Sequence, residues 1–352
     1  MRSSSPGRCP DLRPLAGPGG EGAGVRHRRI AAIAALVLGL APSTWLRSEV
    51  VDGKLADFRI TPLSDFTSDP VATGVRIEGV WEIQADNLQF GGYSALLPLA
   101  GGHLRAFSDR GYRLTFPEPG ARGRFPTLSR QLALAPYAPE LWDIESATRD
   151  PDGGDYWLGY ESTHAFQRFS NASTPMAVRL IGGDVNWPSN SGAESLVRLA
   201  DGRFLVLPES GRDALIYRGD PVETPSFATS PVSWPIAGYN PTDAAQLPDG
   251  RVIILMRRVA WGFPPFSSLL VIADPATLQA GQPWNTYLLA RLDRLVPSEN
   301  YEGLAVRRAG RDAAEIWMIS DDNRSAFQRT LLVRMRLDYA SGKVHQKARE
   351  SR

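Results

Sequence analysis

One hairpin recurs along this chain, and the recurrence limits the folds open to it more than any other feature. Its cleanest copies are residues 194–209 (ESLVRLADGRFLVLPE) and 243–257 (DAAQLPDGRVIILMR). Each has a polar residue, a short strand, an Asp-Gly-Arg turn and an apolar strand that ends in charge. Asp-Gly between two such runs is the strongest short-range hairpin signal, because glycine adopts the positive φ of a tight turn. Looser copies are 94–109 (SALLPLAGGHLRAFSD), 145–161 (ESATRDPDGGDYWLGYE) and 302–321 (EGLAVRRAGRDAAEIWMISD), so five hairpins fill 94–321 at spacings of about 50 to 60 residues. A period of this length predicts a propeller.

Stretches between the hairpins, around Trp187 and Pro188, Trp234 and Pro235, and at 284–289, are long enough for the outer strands of each blade. Residues 55–90, which include VRIEGVWEIQA at 75–85, and the last strand at 330–337 (TLLVRMRL) are expected to build a sixth blade together. Closing the ring with strands from both termini removes the exposed edges of an open array. The expectation is an all-β fold, a six-bladed β-propeller in one domain at 50–340. A β-sandwich also has turn-bounded strands. Its strands need not return the same residue class to the same place in every hairpin, as stacked blades do.

Composition removes several alternatives. The 352 residues would suffice for two average domains, but all-β units of this size are ordinary. A formal charge of +1, from 39 basic and 38 acidic residues, gives no field that favours nucleic acid or an anionic membrane surface. The single cysteine, Cys9, precedes the folded region, which excludes disulfides, thiol chemistry and Cys-based zinc sites. Residues 1–24, rich in Pro, Gly, Ser and Arg, are expected to be disordered or to precede a true start near Val25. Arg26, His27, Arg28 and Arg29 stand directly before the apolar run 30–41 (IAAIAALVLGLA), the pattern of a secretory signal at 25–45. The run is short for a bilayer span; Ala41 and Ser43 offer a weak cleavage site, and an uncleaved anchor is the alternative. This reading places the protein in the periplasm or cell envelope, as a monomer that meets a membrane only through such an anchor. Residues 341–352, with His345, form a charged tail.

Residues equally far from a hairpin turn sit side by side at its open end. Glu194 and Glu209 are equidistant from their turn, as are Glu145 and Glu161, and Glu302 and Asp321; Ser94 with Asp109 and Asp243 with Arg257 fit to within a residue. If these hairpins lie nearest the axis, their open ends converge on one rim. Arg110, His164, Arg212, Arg258, Asp322 and Arg324 follow the same ends, and Asn190, Asn240 and Asn300 precede three of them. Carboxylate and amide oxygens at a ring centre suit a hard cation such as calcium. Arginines beside them suit a phosphate or carboxylate group. Glu145, Glu194, Asp243 and Glu302 are the candidate metal ligands. Asp109, Arg110, Glu209, Arg212, Arg257, Arg258, Asp321 and Arg324 are candidate substrate contacts, and Glu161 or His164 is the candidate general base. Acids at strand ends also cap backbone amides or pair between blades, but four at corresponding sites would repel one another without cations between them.

Other motifs carry less. Asp150, Asp152 and Asp155 (DPDGGD) resemble half a calcium loop but occupy a hairpin turn and lack a downstream bidentate Glu. His103 sits in a turn opposite the proposed rim. No G-x-S-x-G elbow, H-E-x-x-H helix or P-loop occurs.

At these hairpins the sequence resembles the bacterial phytase-like family, described as having esterase-like activity. The matching stretches are 90–111 (FGGYSALLPLAGGHLRAFSDRG), 143–161, 191–209, 239–258 (YNPTDAAQLPDGRVIILMRR) and 300–303 (NYEG). The resemblance implies an envelope propeller that hydrolyses a phosphate or other ester with a divalent cation, and carries Glu145, Glu194, Asp243 and Glu302 over as ligands. Two functions stay open: a metal-assisted hydrolase of a small ester or phosphoester, and a non-enzymatic propeller that binds a ligand or protein through the same rim.

Overall fold

The structure, a computed structural model, describes residues 53–339 apart from 56, 70–72, 122–124, 135–140, 153, 189–190 and 262–264. The expected signal at 25–45, the leader before it, the tail at 341–352 and Asn190 lie outside the described residues. Strands β1 (Gly53–Lys54), β2 (Arg59–Leu63) and β3 (Val75–Gln84) come first. Four antiparallel meanders follow. They are β4 (Tyr93–Leu99), β5 (His103–Ser108), β6 (Tyr112–Pro117) and β7 (Thr127–Arg130); β8 (Ile144–Arg149), β9 (Tyr156–Tyr160), β10 (Ala165–Phe169) and β11 (Pro175–Leu180); β12 (Ala193–Arg198), β13 (Phe204–Pro208), β14 (Asp213–Tyr217) and β15 (Phe227–Ser233); and β16 (Asn240–Gln246), β17 (Val252–Val259), β18 (Phe266–Ala273) and β19 (Trp284–Arg291). The last meander has three strands of its own, β20 (Asn300–Arg308), β21 (Ala313–Asp321) and β22 (Leu331–Asp338). Among the described residues the one helical element is a 3₁₀ turn at Pro275–Thr277, and no helix is long and apolar enough to cross a membrane.

The first strands of the meanders pack on one another in cyclic order, β4 on β8, β8 on β12, β12 on β16, β16 on β20, and β20 back on β4. The result is an all-β, propeller-like ring with five meanders among the described residues, where the sequence led us to expect six. The difference lies in the terminal strands. They build no blade of their own, because β22 pairs with β3 (Val333 opposite Val80) and β3 with β2, which completes the fifth meander from the N-terminal side. Strands from both ends of the described chain therefore do close the ring, within one sheet. Outer strands β15 and β19 also pair in parallel through Val232–Trp284 and Ser233–Asn285, fusing the third and fourth meanders into an eight-stranded sheet.

The apolar faces of neighbouring sheets meet in wedges of core. Trp81 and Trp317 pack 5.9 Å apart in one, and Tyr156 and Phe169 stack at 4.9 Å in another. The Asp-Gly-Arg turns form as read. Gly202 and Gly250 take φ of 88° and 93°, and in each turn the Asp carboxylate accepts from the Arg backbone N–H and from its guanidinium Nε at 2.8 Å. The Arg of the motif thus locks the turn rather than reaching any site.

Candidate functional site

A β-bulge interrupts every one of the five inner strands near its start, and the bulges organise the site. The register slips between Tyr93 and Ala95, Ile144 and Ser146, Ala193 and Ser195, Pro241 and Asp243, and Tyr301 and Gly303. The extra residues, one per meander, are Ser94, Glu145, Glu194, Thr242 and Glu302. A bulged residue has no cross-strand partner and is re-aimed by the local bend, which frees these side chains from the ladder. The residues that close each hairpin on the second strand are Asp109, Glu161, Glu209, Arg257 and Asp321. They stand opposite Gly92, Asp143, Gly192, Asn240 and Asn300.

These positions crowd carboxylates together at one mouth of the ring. Asp143, Glu145 and Glu161 bring one oxygen each within 4.8 Å of one another, and so do Glu161, Glu194 and Glu209. Glu161 is common to both groups. It reaches across to the third meander because residue 192 is glycine: a Cβ there would lie 2.8 Å from the Glu161 Cα and Cβ. Asp143 also accepts a hydrogen bond from the Ser162 hydroxyl at 2.8 Å. Glu302 is held differently, by the Arg257 guanidinium and by the Asn300 amide at 2.9 Å. Arg257 is thus the cation built into the ring of acids.

Crowding and burial show in the proton affinities. Burial, then the charges of Glu194 and Glu302, hold Glu145 well above the usual carboxylate range; burial, then Glu209 and Glu302, do the same to Glu194. Glu161 is pushed up to about 7 by burial, then by Asp143, Glu209 and Glu302. Across the mouth, burial raises Asp109 to about 6 against the opposing pull of Arg110, and its Oδ1 is buried with no hydrogen-bond partner among the described residues. Asp321 is raised to about 8, by burial and then by Glu302.

The sequence-derived set divides. Asp109, Glu145, Glu161, Glu194, Glu209, Arg257, Glu302 and Asp321 converge as expected. Asp243 does not: the bulge residue of its strand is Thr242, one position earlier. Asp243 is fully buried; one oxygen accepts from Ala244 N–H on its own strand at 2.8 Å, and the other accepts from Leu304 N–H at 2.6 Å and clips the fourth meander to the fifth. Glu194 stands seven residues before the Asp of its turn and Thr242 seven before Asp249, so Asp243 lies one residue deeper than the bulge position. Arg110 keeps its Nε 3.6 Å from the Asp109 Oδ1 but spends its terminal nitrogens on the carbonyls of Leu88, Gln89, Phe90 and Gly91. Arg258 lies 4.8 Å from the centre of the Tyr239 ring. Arg212 and Arg324 are exposed, the latter with φ of 51°.

His164 occupies the turn after Glu161 with φ of 44°, its ring edge-on to Trp187 at 5.8 Å. Its backbone N–H donates to the Glu161 carbonyl at 2.9 Å, so it shapes the turn that carries Glu161. One member went unrecognised in the sequence: Asp143, legible from its spacing, Asp-Ile-Glu with Glu145. Asp322, which follows its hairpin end, accepts from the Gly92 N–H at 3.2 Å and from the Thr330 hydroxyl at 3.0 Å.

An inward ring of carboxylates at the mouth of a five-meander ring defines a class of protein, an acidic-site β-propeller. Residues 88–324 match the phytase-like family, described as esterase-like activity of phytase, and the chain belongs to that family. No curated protein matches the sequence. Similar solved structures include the luciferin-regenerating enzyme (13% identity, TM-score 0.42, covering 80% of this chain and 92% of that one). Others are the Myxococcus xanthus glutaminyl cyclase (13%, 0.43, 80% and 99%) and a streptogramin B lyase (8%, 0.38, 83% and 100%). Likenesses this distant assign no activity.

Proposed function

We propose that this protein is an exported, metal-assisted hydrolase of a small ester or phosphoester. The observation that carries the reading is the pair of carboxylate triads joined at Glu161. Their donors are oxygen alone, the preference of a hard cation such as calcium, and their raised proton affinities come first from burial and then from mutual repulsion, which a cation would relieve. Asp143, Glu145, Glu161, Glu194 and Glu209 would hold the ion. When bound, such a cation supplies Lewis-acid polarisation of a phosphoryl or acyl oxygen.

The chain's own residues supply the rest. Arg257, fixed by Glu302 and Asn300, places a guanidinium beside the acids, where it would meet a substrate oxyanion. Asp109 at about 6 and Asp321 at about 8 can take or give a proton near neutral pH. We assign them that role in preference to Glu161, which the triads occupy, and to His164, whose ring packs on Trp187. The basic cluster and apolar run at 26–41 support export to the cell envelope.

The test is calorimetric titration with calcium, together with hydrolysis assays on aryl esters and phosphomonoesters, for the wild type and the Glu145→Gln/Glu194→Gln pair. Expected are divalent binding and turnover in the wild type and loss of both in the variant. Cation binding without any turnover would favour the non-enzymatic rim. Absence of both would end the proposal.

A further inference from the structure

Three of the five inner strands carry an acid near their start and an arginine at their end, Glu145 and Arg149, Glu194 and Arg198, and Glu302 and Arg308. At the mouth opposite the carboxylates, a cavity of about 730 Å³ opens between the C-terminal halves of all five. Its throat is apolar, with Leu97, Ala147, Val197, Ala245 and Leu304 among its lining. Four guanidiniums, Arg149, Arg198, Arg307 and Arg308, reach its wall, against the single lining carboxylate of Asp152. Arg198 is neutralised by Asp150 at 3.3 Å and Arg307 by Glu118. That leaves Arg149 and Arg308, whose hydrogen bonds go to the carbonyls of Pro98 and Pro248 rather than to acids. Burial, and then the adjoining Arg307 charge, hold Arg149 below the usual guanidinium range, so like charges meet at this wall.

Stapling of neighbouring meanders explains one N–H of each arginine but not the charge. Gln246 lines the same cavity and makes an equivalent link with a neutral amide, accepting from Ala200 N–H of the neighbouring meander at 2.7 Å while donating to the Gly250 carbonyl of its own turn at 2.8 Å. Cavities of several hundred Å³ with apolar walls and a few convergent polar groups are the usual form of small-molecule sites. A guanidinium with unused N–H groups is the usual partner of phosphate and carboxylate.

We propose that this mouth is a second binding site, separate from the acidic one, for a small amphiphilic anion. The phosphate or carboxylate group of the ligand meets Arg149 and Arg308, and its apolar body fills the throat between Leu97 and Ala245. Without a bound cation, the carboxylates of the acidic mouth would repel the same molecule, so in the metal-free protein this mouth is its site.

The experiment is calorimetric titration of the whole protein, in chelator so that the acidic site holds no cation, with hexyl phosphate, hexanoate and inorganic phosphate. The proposal expects one site for hexyl phosphate or hexanoate, at least fivefold tighter than inorganic phosphate. Arg149→Met and Arg308→Gln should each weaken it at least tenfold, and Glu194→Gln should leave it unchanged. Arg308 is exposed, so its replacement leaves the fold intact even where Arg149→Met does not. No binding, equal affinity for inorganic phosphate, insensitivity to Arg308→Gln, or loss on Glu194→Gln would each overturn the site.

Discussion

Replacing Glu161 by Gln should stabilise the metal-free protein at pH 8 and do nothing at pH 4. The sign follows from the raised carboxyl. Below 4.5 the folded and unfolded chains both hold the proton, and Glu161 contributes nothing. Between 4.5 and about 7 the unfolded chain ionises while the folded one retains its proton, so stability falls as pH rises, and the loss is complete above about 7. A carboxyl moved this far corresponds to roughly 3 kcal/mol, which solvent screening at a half-buried side chain reduces to about 1–2 kcal/mol. Gln keeps the shape and removes the charge. In chelator the variant should therefore melt roughly 2–8 °C above wild type at pH 8, using about 2–4 °C per kcal/mol for a domain somewhat smaller than this one, with the gap closing by pH 4. Saturating calcium should reverse the order, because only wild type gains the full binding free energy. Scanning calorimetry from pH 4 to 8.5, with and without calcium, decides it. A variant less stable than wild type at pH 8 in chelator, or a gap independent of pH, would refute the picture of Glu161 as one of several carboxylates held together against repulsion.

Two further substitutions separate the frame from the site. Asp243→Ala leaves the Leu304 and Ala244 N–H groups without their acceptor and should cost about 2 kcal/mol in denaturant unfolding, while calcium affinity, read by calorimetry, stays within twofold; a large loss of affinity would restore Asp243 to the ligand set. Gly192→Ala puts a methyl 2.8 Å from the Glu161 backbone. It should weaken calcium binding at least fivefold, and unchanged affinity would show that Glu161 need not cross to the third meander.

Much of the frame was readable because its signals are local. Asp201 and Asp249 fix their turns through the residue two positions on, and such short-range chemistry shows in any single copy of the repeat. The convergence of Glu145, Glu194 and Glu302 was readable for the same reason, since hairpin symmetry survives in the sequence. What failed was long-range. Nothing in residues 75–84 announces that β3 will accept β22 across some 250 positions, so a strand without a meander looked like part of another blade. The bulge was hidden as well. Its trace is that Asp243 and Arg257 fit the symmetry of their turn only to within a residue, an offset that places Asp243 beyond the bulge.

The bulge also explains how a repeat this regular carries unequal chemistry. The unpaired position varies among Ser94, Glu145, Glu194, Thr242 and Glu302 while the ladder on either side continues, so its side chain can change without loss of a cross-strand partner. The next position does the opposite work. There Ser146 donates to the Ala193 carbonyl and Asp243 accepts from Leu304 N–H, each joining one meander to the next. A residue at the first position is free of the ladder, whereas Ser146 and Asp243 at the second serve ring closure. Adjacent acids can therefore differ completely in function: Glu194 shares its oxygens with Glu161 and Glu209 at the mouth, whereas Asp243, a single step deeper in the following meander, spends both of its own on backbone amides.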